Sequence, residues 1–168
     1  GICGGGPFGD RICNGAIDNA SGVAGLIELA HALAEGPRPK RAILFMATTA
    51  EEYGLLGAEY YARHPLLPLA DTVGGMNLDT IALRGKGTKV RIIGEGLTSL
   101  DAVIRDAASE QGRSVEPDAD VQQYYTRSDQ YAFAKRGVPM VMATGLFSKE
   151  SGKDDLLDRY FSAYYHQP

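Results

Sequence analysis

One stretch decides the interpretation of this fold: Ala42-Ile43-Leu44-Phe45-Met46-Ala47-Thr48-Thr49-Ala50-Glu51-Glu52-Tyr53-Gly54. Its first six residues are all apolar, and a short run of this kind predicts a strand buried on both faces. Two adjacent carboxylates follow the run. Neighbouring side chains on a strand or its exit turn point in different directions, so Glu51 and Glu52 need not share one role. The simplest alternative is a solvated loop that happens to contain two acids.

Outward from this stretch, helical and strand-like patterns alternate along the chain. The alternation predicts an α/β domain, a three-layer sandwich whose central mixed, mostly parallel sheet is flanked by helices. We expect one domain over residues 1–168, incomplete at both ends, because the chain opens without methionine inside a glycine-rich loop. The predicted helices run from an Asn19 or Ser21 cap to Leu33 and over 54–63, 97–111 and 128–136, and the predicted strands cover 42–47, 72–78, 89–93 and 138–143.

Composition limits the classes of function. The chain has 168 residues, of which 44% are apolar and 23% charged, and its formal net charge is −4. These values are typical of a globular domain, and they predict neither nucleic-acid binding nor membrane insertion. The sequence leaves the oligomeric state open. Cys3 and Cys13 either form a disulfide in an oxidising compartment or remain thiols in a reducing one.

The acidic residues fall where ligands bind in open α/β sheets, outside the carboxyl ends of the strands. Asp18 precedes the first helix, Glu51 and Glu52 follow one strand, and Asp79 ends another. Carboxylates gathered in one place repel one another unless a positive group lies between them, and a metal ion meets that need. Oxygen ligands alone favour magnesium or calcium, whereas an added histidine favours zinc.

The three histidines give little guidance by themselves. His31 lies off the apolar face of its helix, and His64 precedes a proline in a helix-ending loop, so we expect both at the surface. His166 lies among tyrosines near the chain end, and composition alone gives little reason to make it a ligand.

Five segments, in order along the chain, resemble the motifs of the co-catalytic dizinc aminopeptidases. That family groups bacterial leucyl-type aminopeptidases with relatives of glutamate carboxypeptidase. The similarity extends over nearly the whole chain, and its first two motifs are the most specific. The segments are Asn14-Gly15-Ala16-Ile17-Asp18-Asn19-Ala20-Ser21-Gly22, Glu51-Glu52-Tyr53-Gly54-Leu55-Leu56-Gly57, Asn77-Leu78-Asp79, Tyr125-Thr126-Arg127-Ser128-Asp129 and Tyr165-His166-Gln167-Pro168.

The resemblance implies a site for two zinc ions. Asp18 would bridge the two ions and Glu52 would bind one of them. Asp79 would bind a single zinc and His166 the other. The family's first histidine ligand would fall upstream of Gly1 and is absent from this chain.

The resemblance also implies roles in catalysis. Glu51 would be the general base that deprotonates a metal-bridging water, and Tyr125 would hydrogen-bond the developing oxyanion. Asp129 aligns with a structural acid, and Gln130 stands where relatives often have histidine.

The function implied by the resemblance is a zinc-dependent exopeptidase that hydrolyses the N-terminal peptide bond of peptides. The alternative functions are those of a carboxypeptidase or a glutaminyl-cyclase-like enzyme on the same fold, or of a noncatalytic receptor-like domain. Because relatives are commonly exported, we expect a periplasmic or extracellular protein. We expect the substrate pocket near Tyr125 and the Gly145-Leu146-Phe147 loop.

Overall fold

The computed structural model describes residues 9, 11–81, 83, 87–145 and 154–167. Within these ranges the helices alternate with short strands, as the sequence predicts. The helices are α1 (Ala20–Glu35), α2 (Leu56–Arg63), α3 (Leu100–Glu110), α4 (Gln130–Ala134) and α5 (Asp154–Ala163), with 3₁₀ turns at Glu51–Tyr53, Leu69–Asp71 and Asp120–Arg127. The strands are β1 (Gly75–Asn77), β2 (Lys89–Ile93), β3 (Ser114–Val115) and β4 (Met140–Thr144).

The four strands form one mixed sheet in the order β1-β4-β2-β3. β1 pairs with β4 in parallel, β2 pairs with β3 in parallel, and β2 pairs with β4 antiparallel. α3 packs on β2, β3 and β4, while α4 packs on β1 and β4. The predicted α/β class, with a mixed and mostly parallel sheet flanked by helices, is confirmed.

The prediction of a buried strand at 42–47 is wrong. The structure assigns no strand there, and Ile43 and Leu44 keep 47% and 54% of their surface exposed. A strand requires a neighbour with which to exchange backbone hydrogen bonds, and no segment of the described ranges pairs with these residues. Apolar character shows that a segment can be buried, but it does not supply the partner.

The main core lies between α2, α4 and the start of β4. Alanines dominate the contact surface of α2, which allows its backbone to approach α4 closely. The buried members are Leu55, Ala58, Ala62, Ala132, Phe133, Val138 and Met140. A smaller cluster of Ile93, Val121 and Met142 packs under the 3₁₀ turn that follows β3.

Charge also links α2 to α4. Glu59 accepts hydrogen bonds from Lys135 and, at 3.0 Å, from Arg136 Nη2. Only 13% of the Glu59 side chain is exposed. The bond from Lys135, followed by that from Arg136, lowers the pKa of Glu59 to about 2. This carboxylate therefore stabilises the fold above its ordinary pKa, and the contribution disappears as the pH falls towards 2.

We expect Glu59→Gln to lower the free energy of unfolding at pH 7 by about 1–3 kcal/mol, since Lys135, Arg136 and the more distant Arg63 lose their charged acceptor. The variant should also lose less stability than the parent when the pH falls from about 5 to 2. Urea unfolding at several pH values measures both effects. Glu110→Gln, at an exposed glutamate of α3, is the control and should leave both quantities unchanged. If Glu59→Gln and the parent lost the same amount of unfolding free energy over this pH range, the stabilising role of the Glu59 carboxylate would be contradicted.

Candidate metal centre

A cleft of about 1060 Å³ contains most of the acidic residues singled out in the sequence. Its walls come from five parts of the chain: the loop before α1, the segment 46–53, the end of β1, the Ser128-Asp129 pair and the C-terminal helix with its tail. The predicted site residues that line it are Asp18, Glu51, Glu52, Asp79, Asp129 and His166.

The turn that carries the two glutamates is fixed by its backbone. Ala50 (φ 55°) and Leu55 (φ 60°) flank it, both in the left-handed conformation. The amide of Leu55 donates to the carbonyl of Glu51 at 2.8 Å, and the amide of Gly57 donates to the carbonyl of Thr49 at 2.9 Å. A Cβ at Gly57 would lie 2.6 Å from backbone atoms of Thr49, so the first turn of α2 packs directly on the backbone of Thr49. Glu51 and Glu52 thus project from a closed turn rather than from a free loop.

The loop that carries Asp18 is held against the end of β1 by polar contacts. Asn19 caps α1, because its Oδ1 accepts from the amide of Gly22 at 3.0 Å, while its Nδ2 donates to the carbonyl of Leu78 at 2.9 Å. Ser21 Oγ accepts from the amide of Ile81 at 3.1 Å. These bonds join the residues that follow Asp18 to residues on either side of Asp79, and Asp18 and Asp79 are two of the predicted ligands.

His166, near the end of the described chain, reaches back to two of the acids. Its Nε2 lies 3.2 Å from Asp18 Oδ2 and also contacts Glu52 Oε1. One ligand atom from each of the three residues lies within 4.8 Å of the other two. The structure therefore brings together Asp18, Glu52 and His166, which are 148 positions apart at their extremes.

This group of donors fits zinc. Tetrahedral zinc takes oxygen and nitrogen ligands at about 2.0–2.2 Å, which places the ligand atoms roughly 3.3–3.6 Å from one another. The 3.2 Å separation of Asp18 and His166 is close to that value. The mixture of two carboxylates and one imidazole also suits zinc better than magnesium or calcium.

Asp79 lines the same cleft but is not a member of the 4.8 Å group among the described residues. Its two oxygens accept hydroxyl hydrogen bonds, from Thr80 at 3.0 Å and from Ser128 at 2.8 Å. Asp18 belongs to the group with Glu52 and His166, and the charge of Asp79 also acts on it.

Crowding of carboxylates shifts their proton affinities. Burial, then the charges of Asp79 and Glu52, raise the pKa of Asp18, although His166 opposes the shift. Burial, followed by the charges of Asp79, Glu52, Asp129 and Asp18, raises the pKa of Glu51 to about 8. Four acids thus act on Glu51, which is the electrostatic condition in which a bound cation is most favourable.

Tyr125, unlike the predicted ligands and the predicted base, does not line the main cleft. Its hydroxyl faces the carbonyl of Met140 at 3.4 Å, and its ring packs beside Gly94 and edge-on to Tyr131. It lines a second, smaller cleft of about 480 Å³. Its role as an oxyanion donor stays a prediction drawn from resemblance.

The sequence analysis missed the contribution of α5. Leu156, Arg159, Tyr160 and Tyr164 line the main cleft. Burial, and next the charge of Asp18, raise the pKa of Tyr160 to about 12, so this phenol stays protonated beside the acids. The sequence does contain a signal for this wall of the cleft, namely the cluster of tyrosines that precedes His166.

The remaining predictions concern the two other histidines, the two cysteines and the predicted specificity loop. His31 and His64 are exposed as expected, and His64 Nδ1 lies 3.1 Å from the carbonyl of Tyr60 at the end of α2. Cys13 is disulfide-bonded, while Cys3 lies outside the described residues. So do Leu146 and Phe147 of the predicted specificity loop.

Comparison with known proteins agrees with the geometry of the cleft. The family model described as "Peptidase family M28" matches residues 4–168. The chain belongs to peptidase family M28. This confirms the resemblance to the dizinc aminopeptidases that the motifs indicated.

Among curated M28 relatives, the chain is 31% identical to Leucine aminopeptidase 2 of Trichophyton equinum over 144 residues, which is 80% of this chain and 28% of the relative. It is 38% identical to the Vacuolar membrane protease of Yarrowia lipolytica over 87 residues, covering 51% of this chain and 8% of the relative. The chain therefore spans less than a third of the length of either protein.

Two solved structures share the fold at 24% identity. An aminopeptidase from Aneurinibacillus sp. strain AM-1 superposes with a TM-score of 0.60, covering 86% of this chain and 34% of that one. A zinc aminopeptidase from Bacillus subtilis gives a TM-score of 0.63, covering 86% and 37%. In the described part of this M28 chain, no helix has the length and apolarity needed to cross a membrane.

Gly22→Ala tests how the two acid-bearing loops are joined. A Cβ at Gly22 would lie 2.3 Å from the carbonyl oxygen of Leu78 and 2.4 Å from Asn19 Oδ1. We expect a loss of about 1–3 kcal/mol in unfolding free energy and weaker zinc binding, measured by thermal unfolding and chelator competition.

Gly25→Ala is the matched control in the same helix. Its Cβ would meet the far end of the Ile81 side chain at 2.7 Å and would be in ordinary contact with Leu78 Cδ1 at 3.7 Å. That side chain can move, and alanine is a better helix former than glycine by about 1 kcal/mol. Equal zinc affinity in Gly22→Ala and Gly25→Ala would show that the close approach at Gly22 does not position the ligands.

Proposed function

We propose that the protein is a zinc-dependent aminopeptidase that removes N-terminal residues from peptides. The observation that carries the proposal is the convergence of Asp18, Glu52 and His166 on one point in a cleft lined by further carboxylates. A solvated loop containing two acids does not explain that convergence. Nor does a noncatalytic domain explain why Glu51, outside the ligand group, is held beside it.

Each residue has a distinct task in the proposed reaction. Asp18 is the proposed bridge, because it belongs to the group with Glu52 and His166 and the charge of Asp79 also acts on it; Glu52 and His166 would bind one ion and Asp79 the other. When bound, two zinc ions would lower the pKa of a water molecule and polarise the scissile carbonyl. Three carboxylates and one imidazole from this chain would hold the ions.

Glu51 is the proposed general base. It is adjacent in sequence to a ligand, lies outside the 4.8 Å ligand group and lines the same cleft. From this position its carboxylate takes a proton from the attacking water and delivers it to the leaving amine. Tyr125 remains the proposed oxyanion donor by resemblance, although its hydroxyl is turned to the carbonyl of Met140.

The electrostatics of the cleft favour an amine as the substrate's recognition group. Glu51 and Asp129 both line the cleft and both have raised pKa values, Asp129 chiefly through burial. A protonated N-terminal amine would relieve their repulsion. Arg159 in the same wall favours a second candidate, a carboxypeptidase, because a guanidinium can bind the carboxylate of a peptide C-terminus.

An oxidising compartment is the proposed location. The disulfide at Cys13 supports it, since such bonds persist mainly in secreted, periplasmic or similar surroundings. The proposed partner is a peptide substrate, with no role for nucleic acid.

Glu51→Gln and Glu52→Gln separate the two roles of the acidic pair. We expect Glu51→Gln to keep its zinc and lose at least about 100-fold in kcat, because the proton acceptor is gone. Glu52→Gln should lose both, because a neutral amide is a poor zinc ligand. Metal content and peptide hydrolysis measured on the same preparations distinguish these outcomes. A normal kcat for Glu51→Gln would remove it as the base.

Blocking the substrate's amine tests the recognition group. Aminoacyl substrates with a free amine should be hydrolysed, and their N-acetylated counterparts should be cleaved at least about 100-fold more slowly, in a reaction abolished by chelator and restored by zinc. Equal cleavage of both forms would exclude an aminopeptidase. Cleavage that requires a free C-terminal carboxylate instead would establish the carboxypeptidase.

A further inference from the structure

A line of hydrogen bonds extends from the buried core to Asp79. Gln130 is fully buried, with 0% of its surface exposed. Its Nε2 donates to the carbonyl of Tyr125 at 2.9 Å, and its Oε1 accepts from Asn77 Nδ2 at 2.9 Å. The same nitrogen of Asn77 also donates to Ser128 Oγ at 2.8 Å, and Ser128 Oγ donates to Asp79 Oδ2 at 2.8 Å.

The direction of every bond in this line is determined by its two ends. The carbonyl of Tyr125 can only accept, so Gln130 must turn its NH₂ towards it and its oxygen towards Asn77. Asn77 must therefore present its own NH₂, and the second of its two hydrogens goes to Ser128. Because the Ser128 oxygen now accepts, its single hydrogen is available for the Asp79 carboxylate, which can only accept when it is ionised and cannot donate back. Reversing one amide would place two donors or two acceptors face to face.

We propose that Gln130 is a positioning residue that orients the carboxylate of Asp79 for zinc, acting through Asn77 and Ser128. The inference rests on the proposed function, in which Asp79 is a ligand. Gln130 fixes the amide of Asn77, and Asn77 fixes the hydroxyl of Ser128. The hydroxyl holds one carboxylate oxygen, and Thr80 holds the other at 3.0 Å. Neither oxygen of Asp79 is then free to rotate away from the cleft.

The location of Gln130 also explains how glutamine can stand where relatives often have histidine. The line needs a side chain with one donor and one acceptor in a buried position. A neutral imidazole has one of each, so either residue can connect the Tyr125 carbonyl to Asn77. A side chain of similar size without polar atoms would remove the partner of one hydrogen of the Asn77 amide and the partner of the Tyr125 carbonyl.

The experiment compares zinc affinity in Gln130→Met, Ser128→Ala and the double variant, by chelator competition on purified protein, with thermal unfolding of the metal-free forms alongside. We expect each single variant to weaken zinc binding about 10-fold to 100-fold, the usual cost of losing a group that orients a ligand. The double variant should be little worse than either single variant, because both interrupt one line of bonds. Gln130→His should bind zinc within about 3-fold of the parent, since it restores a donor and an acceptor.

Gln122→Met is the matched control. Gln122 is a second, partly buried glutamine whose amide accepts from Gly94 at 2.8 Å and donates to the carbonyl of Ile92 at 2.8 Å, and it does not line the main cleft. Its loss should lower the unfolding temperature and leave zinc affinity unchanged. A merely structural role for Gln130 would give the same pattern.

The outcomes separate the inference from the proposed function. If the parent protein binds no zinc, the proposed function fails. If the parent binds zinc and Gln130→Met binds it equally well, the positioning role is overturned while the function stands. Additive losses in the double variant, or a Gln130→His protein as weak as Gln130→Met, would also overturn it.

Discussion

Repulsion between carboxylates is the constraint on which this structure depends. Asp18, Glu51, Glu52 and Asp79 lie in one cleft, where burial, followed by the charges of the neighbouring acids, raises the pKa of Asp18 and Glu51. A fold gathers acids in this way only if other interactions hold them there. In this M28 chain the surrounding groups are mostly hydroxyls, amides and one imidazole, which fix the positions of the acids without neutralising them. The charge remains available to bind a metal.

The backbone next to the acids also helps to hold them in place. Ala50 and Thr80, which adjoin Glu51 and Asp79, are both left-handed without being glycine. Such a conformation costs roughly 1–2 kcal/mol at a residue with a Cβ, so neighbouring contacts must hold it in place. At Thr80 the amide lies 3.3 Å from Asn19 Oδ1, and the hydroxyl donates to Asp79. The strained residues are therefore tied to the loops that carry the acids.

The site combines residues from distant parts of the chain. Asp18 and Glu52 come from loops that adjoin helices, whereas His166 arrives from the C-terminal end, where α5 packs against the cleft. Tyr160 on α5 is buried beside the acids. The three-residue group is complete only when α5 and its tail are in place, so we expect metal binding at the proposed site to be coupled to folding of the C-terminal segment.

The sequence by itself determined the alternation of helices and strands, the ordered motifs and hence the family, because these depend on local pattern and on residue identity. It also singled out Asp18, Glu52 and His166 through resemblance. It was wrong about 42–47, since apolar character does not supply a strand partner. Only the tertiary structure decided that Asp18, Glu52 and His166 meet within 4.8 Å, that the Tyr125 hydroxyl faces the carbonyl of Met140, and that Gln130 is connected to Asp79 through hydrogen bonds. Each of these is a long-range contact, and its geometry comes from packing that no local pattern encodes.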